Sequence, residues 1–262
     1  MHPISKTVWL PTLALVLLAS GCGGGGGRTL APRTVLTPAE ITTLSQNVAI
    51  VDYAVFVAYP MVNYANFGFP VNNKTVTDNG HGRDITLTLG ASTPSLLLDS
   101  VPVSGVTAMH EDTVAHTITY TFTGLTVNNR SVTGTMTASN VAYNQALVQI
   151  SSTVTCDLTI AGMGEVKGTF AFSYSAGLSI SNVNLTVTPT AGVAQTVTGS
   201  PSYIYAIGTG GHLYGHDGSL TFADTSSYAV FFYTGTTANN AVYVKKNGDQ
   251  HITIKLTPDD GP

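Results

Sequence analysis

Charged side chains are scarce in this chain of 262 residues. Lysine, arginine, aspartate and glutamate together make up 9% of it, against roughly a quarter of an average soluble domain. The basic residues form no cluster beyond the pair Lys245 and Lys246. Because a nucleic-acid backbone is bound by a basic surface, we expect no nucleic-acid partner. Threonine, serine and asparagine must then cover most of the folded surface.

Cysteine is also scarce, which excludes a fold held together by several disulfides. The two cysteines are Cys22 and Cys156. Cys156 alternates with the apolar residues Val154 and Leu158, so it shares one face of a predicted strand with them. A thiol on an apolar face behaves as a small buried hydrophobe, because reactive thiols need cationic, partly exposed surroundings.

Common catalytic and nucleotide-binding motifs are absent from the sequence. It contains no Gly-x-Ser-x-Gly, P-loop, Cys-x-x-Cys, His-Glu-x-x-His or dinucleotide-binding pattern. We therefore predict no cofactor, and the sequence favours a binding or structural role over an enzymatic one.

The first 22 residues have the layout of a secretory signal. Lys6 is followed by an apolar run over residues 8–18, and the small residues Ala19, Ser20 and Gly21 lead directly into Cys22. The run is well short of the ~20 residues that a membrane-spanning helix needs. The small residues before Cys22 resemble the lipobox of bacterial lipoproteins. The resemblance implies that residues 1–21 are a removed signal peptide and that Cys22 carries fatty acyl chains such as palmitate.

The resemblance also implies a location. A lipid-anchored protein of the bacterial cell envelope has the membrane as a partner, through the acyl chains on Cys22. Two or more such chains hold a protein stably, whereas one holds it weakly. Gly23, rather than aspartate, follows the cysteine, and in this family that favours the outer membrane over the inner membrane. Residues 22–36 are predicted to be a lipidated, glycine-rich, flexible tether.

Residues 37–60 are predicted to form one helix. Thr37, Pro38 and Glu40 have the spacing of a capping box with proline at the first helical position. Apolar residues then recur three and four positions apart, at Ile41, Leu44, Val48, Val51 and Val55. From residue 48 onward every side of this helix is apolar, so it must be buried on every side. A strand over residues 48–59 is the alternative.

Residues 61–83 are predicted to be an irregular aromatic loop, either a strap over the core or a binding loop. Pro60 is expected to end or kink the helix before it. The loop carries Tyr64, Phe67 and Phe69, and the helix carries Asp52 within its apolar part. These four residues are the candidates to face a bound ligand, although Asp52 also suits a structural hydrogen bond.

From residue 84 to residue 257 apolar and polar residues alternate, in about ten to twelve predicted strands joined by short turns. Short turns require antiparallel pairing. The phase of the alternation slips at Gly124 and Asn182, which predicts bulges that curve the sheet. Asn247 and Gly248 predict the turn of a final hairpin. Residues 258–262 form a tail.

The sequence therefore predicts a mainly β fold. We expect a strongly curved antiparallel meander, a closed or partly open barrel, with one N-terminal α-helix packed on its inner face in a single domain. A two-sheet sandwich and a membrane-spanning barrel are the alternatives. In a membrane-spanning barrel we expect aromatic residues at strand ends, whereas here they lie in mid-strand beside aliphatic residues. The arrangement looks like the lipoprotein-sorting chaperone and lipid-transfer folds of the bacterial envelope, without a shared motif.

Three polar segments interrupt the strands. His212, His216 and Asp217 lie close together between glycines and are a candidate metal site, although a turn with hydrogen-bonded histidines explains them too. Residues 110–116 contain histidines and acids suited to acid–base chemistry, and residues 78–84 have the residue types of a calcium loop without its spacing. The sequence does not establish whether these segments meet.

Three functions remain open. The first is a cell-envelope lipoprotein whose β domain binds or carries a lipid or another apolar ligand. The second is a structural or adhesive surface module with a solid core. The third is an envelope hydrolase that uses one of the polar segments.

Overall fold

The structure is a computed structural model that describes residues 36–67, 73–90, 103–143, 149–174, 178–205, 213–223, 227–232, 241–246 and 252–255. All of these residues fall within one unit, Arg33–Pro262. The predicted signal peptide and the predicted tether lie outside the described residues, with one exception. Leu36, assigned to the end of the tether, is buried in the core.

Helix α1 (Pro38–Phe67) begins where the sequence predicts. The amide of Thr37 donates to Glu40 Oε2 at 2.7 Å, and the amide of Glu40 donates to Thr37 Oγ1 at 3.2 Å. These reciprocal bonds are a capping box, which satisfies two amides that the first turn leaves without partners. Glu40 also forms an ion pair with Lys246 near the end of the chain, so the start of the helix is fixed to the sheet.

The predicted end of the helix was wrong. Helix α1 continues through Pro60 to Phe67 instead of ending at residue 60. Proline removes one backbone hydrogen bond, but its own φ near −65° is helical, so a helix can pass through it. The predicted loop over residues 61–83 is therefore partly helix, and it also contains strand β1 (Asn73–Asp78). The alternative strand over residues 48–59 is excluded.

The strands that follow form one antiparallel sheet. The first group is β2 (Arg83–Leu89), β3 (Val103–Asp112), β4 (Thr117–Val127), β5 (Arg130–Tyr143), β6 (Gln149–Ile160), β7 (Gly164–Tyr174) and β8 (Leu178–Pro189). The second group is β9 (Gln195–Gly199), β10 (Ser202–Tyr205), β11 (Leu213–Asp217), β12 (Ser219–Ala223), β13 (Ser227–Phe232), β14 (Ala241–Lys246) and β15 (Ile252–Lys255).

Neighbouring strands in the sheet are almost always neighbours in the chain. The order runs from β1 to β9 and then from β12 to β15, while β10 and β11 form a side hairpin that joins the sheet at β8. The predicted antiparallel meander is thereby confirmed, and so is the final hairpin, in which β14 pairs with β15. The sheet is curled but not closed, as in a partly open barrel.

Bulges lie at both predicted phase slips. The register between β4 and β5 shifts between Phe122 and Leu125, around Gly124. The register between β7 and β8 shifts opposite Asn182, which has φ of 51°. Gly105, on β3, has φ of 107°, and a Cβ added there would lie 1.7 Å from the carbonyl oxygen of Gly124. Only glycine allows this close approach, which bends the sheet around the helix.

The core lies between helix α1 and the concave face of the sheet. Every apolar residue of the helix from Val48 to Ala58 is no more than 4% exposed. The buried residues of the strands alternate with exposed ones, as in Val154, Cys156, Leu158 and Ile160 of β6. The helix contacts β6, β7, β8 and β11. The predicted packing of the helix on the inner face is confirmed.

The segment Pro38–Ala58 is long and apolar enough to cross a membrane, by length and composition alone. However, 72% of its most apolar window is buried inside the protein. A core helix of a folded domain meets the same criteria, and the burial of α1 identifies it as such a helix.

The convex face of the sheet is polar where its side chains are described. Threonines occupy most of the outward positions of β4, β5 and β6, namely Thr119, Thr121, Thr133, Thr135, Thr155 and Thr159. A lipid-facing surface would require apolar residues at these positions. The described strands therefore present a polar face to the outside. Because charged residues are scarce, this face is covered mainly by threonine, as expected from the composition.

Candidate functional site

Two of the three polar segments meet at one end of the sheet. Strands β2 and β3 pair in a register that places Asp84 opposite His110, so the segments 78–84 and 110–116 become neighbours. His110 Nδ1 lies 2.6 Å from Asp84 Oδ1, and Arg83 Nε donates to Glu111 Oε2 at 2.6 Å. We call Asn79, Arg83, Asp84, His110 and Glu111 the polar cluster.

Asn79 connects the two segments of the polar cluster. Its side-chain amide donates to Asp84 Oδ1 at 3.2 Å and to the carbonyl oxygen of Glu111 at 3.1 Å. Its Oδ1 accepts from the amide of His81 at 3.0 Å, which closes an Asx turn. The amide of Thr113 donates to the carbonyl of His81 at 2.7 Å. The two turns therefore hold each other by side-chain and backbone bonds.

Two carboxylates of these segments, Asp84 and Asp112, are stabilised in their charged form. Hydrogen bonds from His110 and Asn79 lower the pKa of Asp84 below its ordinary value. Backbone hydrogen bonds, chiefly from Ala115, lower the pKa of Asp112. A general acid needs a raised carboxyl pKa, so the environment of these two groups does not suit that role. Their bonds fit a rigid, exposed polar surface.

The calcium-loop interpretation of residues 78–84 does not fit the geometry. Asp78 Oδ1 accepts a hydrogen bond from the amide of Gly80 at 2.7 Å, and Asp84 is bonded to His110. These carboxylates point to different partners instead of converging on one centre. Within the part of the chain that the structure describes, no group of three or more His, Cys, Asp and Glu side chains is placed to hold a metal ion.

The third polar segment is described only in part. His216 and Asp217 lie on β11, and His212 lies outside the described residues. Their assignment as a metal site therefore stays a prediction. Cys22 and Phe69 also lie outside the described residues.

The remaining candidates to face a ligand all lie on the helix. Asp52 is half-buried and interacts with other groups of the protein, and its assignment as a ligand-facing residue stays a prediction. Tyr64 and Phe67 belong to the last part of α1, and not to a loop as predicted. The sequence predicted an irregular loop for them because Pro60 was expected to end or kink the helix.

Cys156 lies in the core, as its alternation with apolar residues predicts. Burial, together with the negative charge of Asp157, raises the pKa of its thiol to about 12. A thiol with this pKa is protonated at neutral pH and is a poor nucleophile. Cys156 is therefore a packing residue.

Two buried polar side chains of the helix were not identified from the sequence. The side-chain amide of Asn47 donates to Gln195 Oε1 of β9, while Asn47 Oδ1 is buried with no hydrogen-bond partner among the described residues. The Tyr53 hydroxyl is also buried with no hydrogen-bond partner among the described residues. The available signal was polarity itself: Asn47 immediately precedes the all-apolar part of the helix, and Tyr53 lies within it.

No protein-family model, no curated protein and no solved structure matches this chain. The function must accordingly be argued from the residues and the fold.

Proposed function

We propose that this protein is a lipid-anchored component of the bacterial cell envelope whose folded part acts through its outer surface, as a structural or adhesive module. The observation that carries the proposal is that the protein's own helix packs on the concave side of the curled sheet, against β6, β7, β8 and β11. A carrier of apolar ligands needs apolar space inside, and here α1 occupies that position.

The packing of large side chains supports a solid core. Tyr53 and Phe56 on the helix are fully buried, as are Phe122, Phe170 and Phe222 on the strands. Aromatic side chains bury the most area of all residue types and dominate the energy of a core. The burial of these side chains favours the solid module over a carrier of apolar ligands.

The outer surface offers two kinds of contact. The threonine-rich convex face presents hydroxyl groups and methyl groups in regular rows, with few charges to repel a partner. The polar cluster presents fixed charges of both signs on two turns that are tied together. Such a surface suits hydrogen-bonded contacts with other envelope components.

The membrane attachment is proposed from the sequence around Cys22. Removal of residues 1–21 and acylation of Cys22 would place the folded domain at the end of a short glycine-rich tether, with the outer membrane favoured. The expected test is metabolic labelling with palmitate: the native chain takes up label and a Cys22→Ser variant does not. Equal absence of label from both proteins would contradict the anchor.

Carriage of a lipid or another apolar ligand is the second candidate. The observation that favours it is the open sheet, whose order begins at β1 and ends at β15 without a described pairing between them. An open sheet allows a ligand to enter beside the helix without breaking the ladder of strands.

Native mass spectrometry distinguishes these two functions. We expect the protein, extracted in mild detergent, to have the mass of the chain cut before Cys22 plus covalent acyl groups, with no further lipid. The Cys22→Ser variant serves as the control without acyl groups. A lipid retained non-covalently in one-to-one ratio by both proteins would establish the carrier and contradict the solid module.

A further inference from the structure

Strand β1 (Asn73–Asp78) lies at the edge of the described sheet. It pairs with β2 on one side, and no strand in the described part of the chain pairs with its other side. In an antiparallel ladder every second residue directs its N–H and C=O groups away from the neighbouring strand. The outer side of β1 therefore offers backbone donors and acceptors to a further strand.

The apolar face of the sheet is uncovered at this edge. Val76 lies opposite Ile85 of β2, so the two side chains face the same side of the sheet. Ile85 is 1% exposed, whereas Val76 is 50% exposed. A strand added beside β1 would cover Val76 and extend the buried face of the sheet.

Residues 74–78, which we call the edge segment, are complementary to a second copy of themselves. When two copies run antiparallel with Val76 opposite the partner's Val76, Lys74 lies opposite the partner's Asp78. Thr75 then lies opposite the partner's Thr77. Opposite charges and paired threonines stabilise neighbouring strands, and the two valines bury apolar surface against each other.

The two charges of the edge segment are available for this pairing. Lys74 and Asp78 are exposed, and neither forms an ion pair within the described residues. Asp78 Oδ1 accepts from the amide of Gly80 at 2.7 Å, a bond that leaves the second oxygen for a partner. A lysine on an edge strand normally discourages pairing with other chains. Here Asp78 supplies the matching charge, and moving the pairing by two residues in either direction separates the charges.

We propose that the edge segment pairs antiparallel with the edge segment of a second copy of this chain, around a two-fold axis at Val76. Such a contact is closed, because both copies use the same surface. The ladder is short and buries less area than a permanent dimer requires, so we expect a weak, reversible dimer. This inference does not depend on the proposed surface role or on the acylation of Cys22.

The test is disulfide cross-linking at the proposed two-fold axis. In the full chain with Cys22→Ser, the further change Val76→Cys places two thiols directly opposite each other in the dimer. Opposite Cα atoms of antiparallel strands lie about 4.5–5.5 Å apart, within the range that a disulfide spans. We expect a cross-linked dimer when the thiol oxidant diamide is added. The remaining thiol, Cys156, is buried and should form no cross-link.

Val114→Cys in the same Cys22→Ser chain is the matched control. Val114 is also an exposed valine, with an exposed fraction of 71%, but it lies in the turn between β3 and β4 and not at the edge. We expect its thiol to form cross-linked dimers at least about tenfold more slowly than that of Val76→Cys, because its thiols meet only by collision.

Charge variants of the Val76→Cys chain test the register. Lys74→Asp places acids opposite acids and should reduce cross-linking about tenfold, because two attractive pairs become repulsive. Asp78→Lys places lysines opposite lysines and should also reduce it. An equimolar mixture of the two variants restores opposite charges at both pairs, and we expect the cross-linked heterodimer to form as readily as the parent dimer. Circular dichroism of each variant checks that it is folded.

Three results would overturn the proposal. The first is equal cross-linking of Val76→Cys and Val114→Cys. The second is cross-linking of Val76→Cys that does not respond to the charge variants or to their mixture. The third is sedimentation of the Cys22→Ser chain as a monomer at every concentration, or as polymers of growing size, which would show that β1 pairs with a different edge of the next copy.

Discussion

Asp84 shows how a single residue of the polar cluster can make the stability of the fold depend on pH. The carboxyl pKa of Asp84 is lower in the folded protein than its ordinary value of 3.8, mainly because His110 and Asn79 donate to it. Because the pKa of Asp84 is lower in the folded chain, its charge stabilises the folded state at pH values above the ordinary pKa. This contribution disappears as the pH falls through the pKa of the folded state, because the folded and unfolded chains then bind the same number of protons.

We therefore predict that Asp84→Asn lowers the urea midpoint of unfolding at neutral pH and has a smaller effect at about pH 2, below the ordinary pKa of an aspartate carboxyl. The measurement is urea unfolding at the two pH values. Thr75→Ser, on the exposed strand β1, serves as the control and should change neither midpoint. An equal loss of stability at both pH values would show that the charge of Asp84 is not responsible.

Cys156 provides a second prediction for a single residue. Burial raises the pKa of its thiol to about 12, so the thiol should meet a thiol-specific reagent and form the reactive thiolate only when the protein unfolds. We expect the labelling rate at neutral pH to follow the unfolding rate as denaturant is added. The measurement uses the Cys22→Ser chain, so that Cys156 is its one thiol, and the further change Cys156→Ala is the control that should show no labelling by the reagent. Fast labelling of the native protein without denaturant would contradict its burial.

The residues that sequence reasoning identified and those that it missed differ in how far apart their partners lie in the chain. Thr37 and Glu40 are three positions apart, and the capping box was predicted in full. Asn47 and Gln195 come from different elements, and only the fold brings them together. Asp84 lies opposite His110 because of the register in which β2 and β3 pair. The alternation of apolar and polar residues does not specify this register unless the turn between the strands is also known.

At the scale of elements, helix α1 is held mainly by its burial. It has apolar residues on every side, so it has little amphipathic preference of its own, and the curled sheet must supply apolar contacts all round. Its first turn adds the capping box and the ion pair between Glu40 and Lys246. The stability of the domain should therefore respond strongly to truncation of helix side chains in the core.

We predict that Phe56→Ala lowers the free energy of unfolding by about 3–5 kcal/mol, because Phe56 is 0% exposed and its removal leaves a cavity. Gln46→Ala, on an exposed position of the same helix, is the matched control and should change it by no more than about 0.5 kcal/mol. Both values come from denaturant unfolding. A small effect of Phe56→Ala would mean that the helix is not part of the cooperative core.

Two elements escaped sequence reasoning for physical reasons. The helix passes through Pro60 because the cost of one lost hydrogen bond does not end it. Strand β1 has a single large apolar residue, Val76, which is 50% exposed. Since neither face of the described part of this edge strand is buried, its sequence carries no alternation, and the signal for a strand is missing.

At the scale of the whole molecule, the composition and the fold agree. Short turns and regular alternation predicted the antiparallel meander, and the slips at Gly124 and Asn182 predicted its curvature. The all-apolar helix predicted what lies inside the curve. The low charge predicted an outer face of hydroxyl-bearing side chains. Whether the sheet closes could not be predicted, because closure depends on how much curvature the bulges add together.

The central claim is that helix α1 is a permanent part of the core and leaves the protein to act through its outer surface. Hydrogen exchange of the backbone amides of α1 tests it most directly. We predict that the amides between Val48 and Ala58 exchange as slowly as those of β6, through global unfolding only, and that lipid vesicles do not change this rate. Exchange of these helix amides well before those of β6, or faster exchange when lipid is added, would contradict the account.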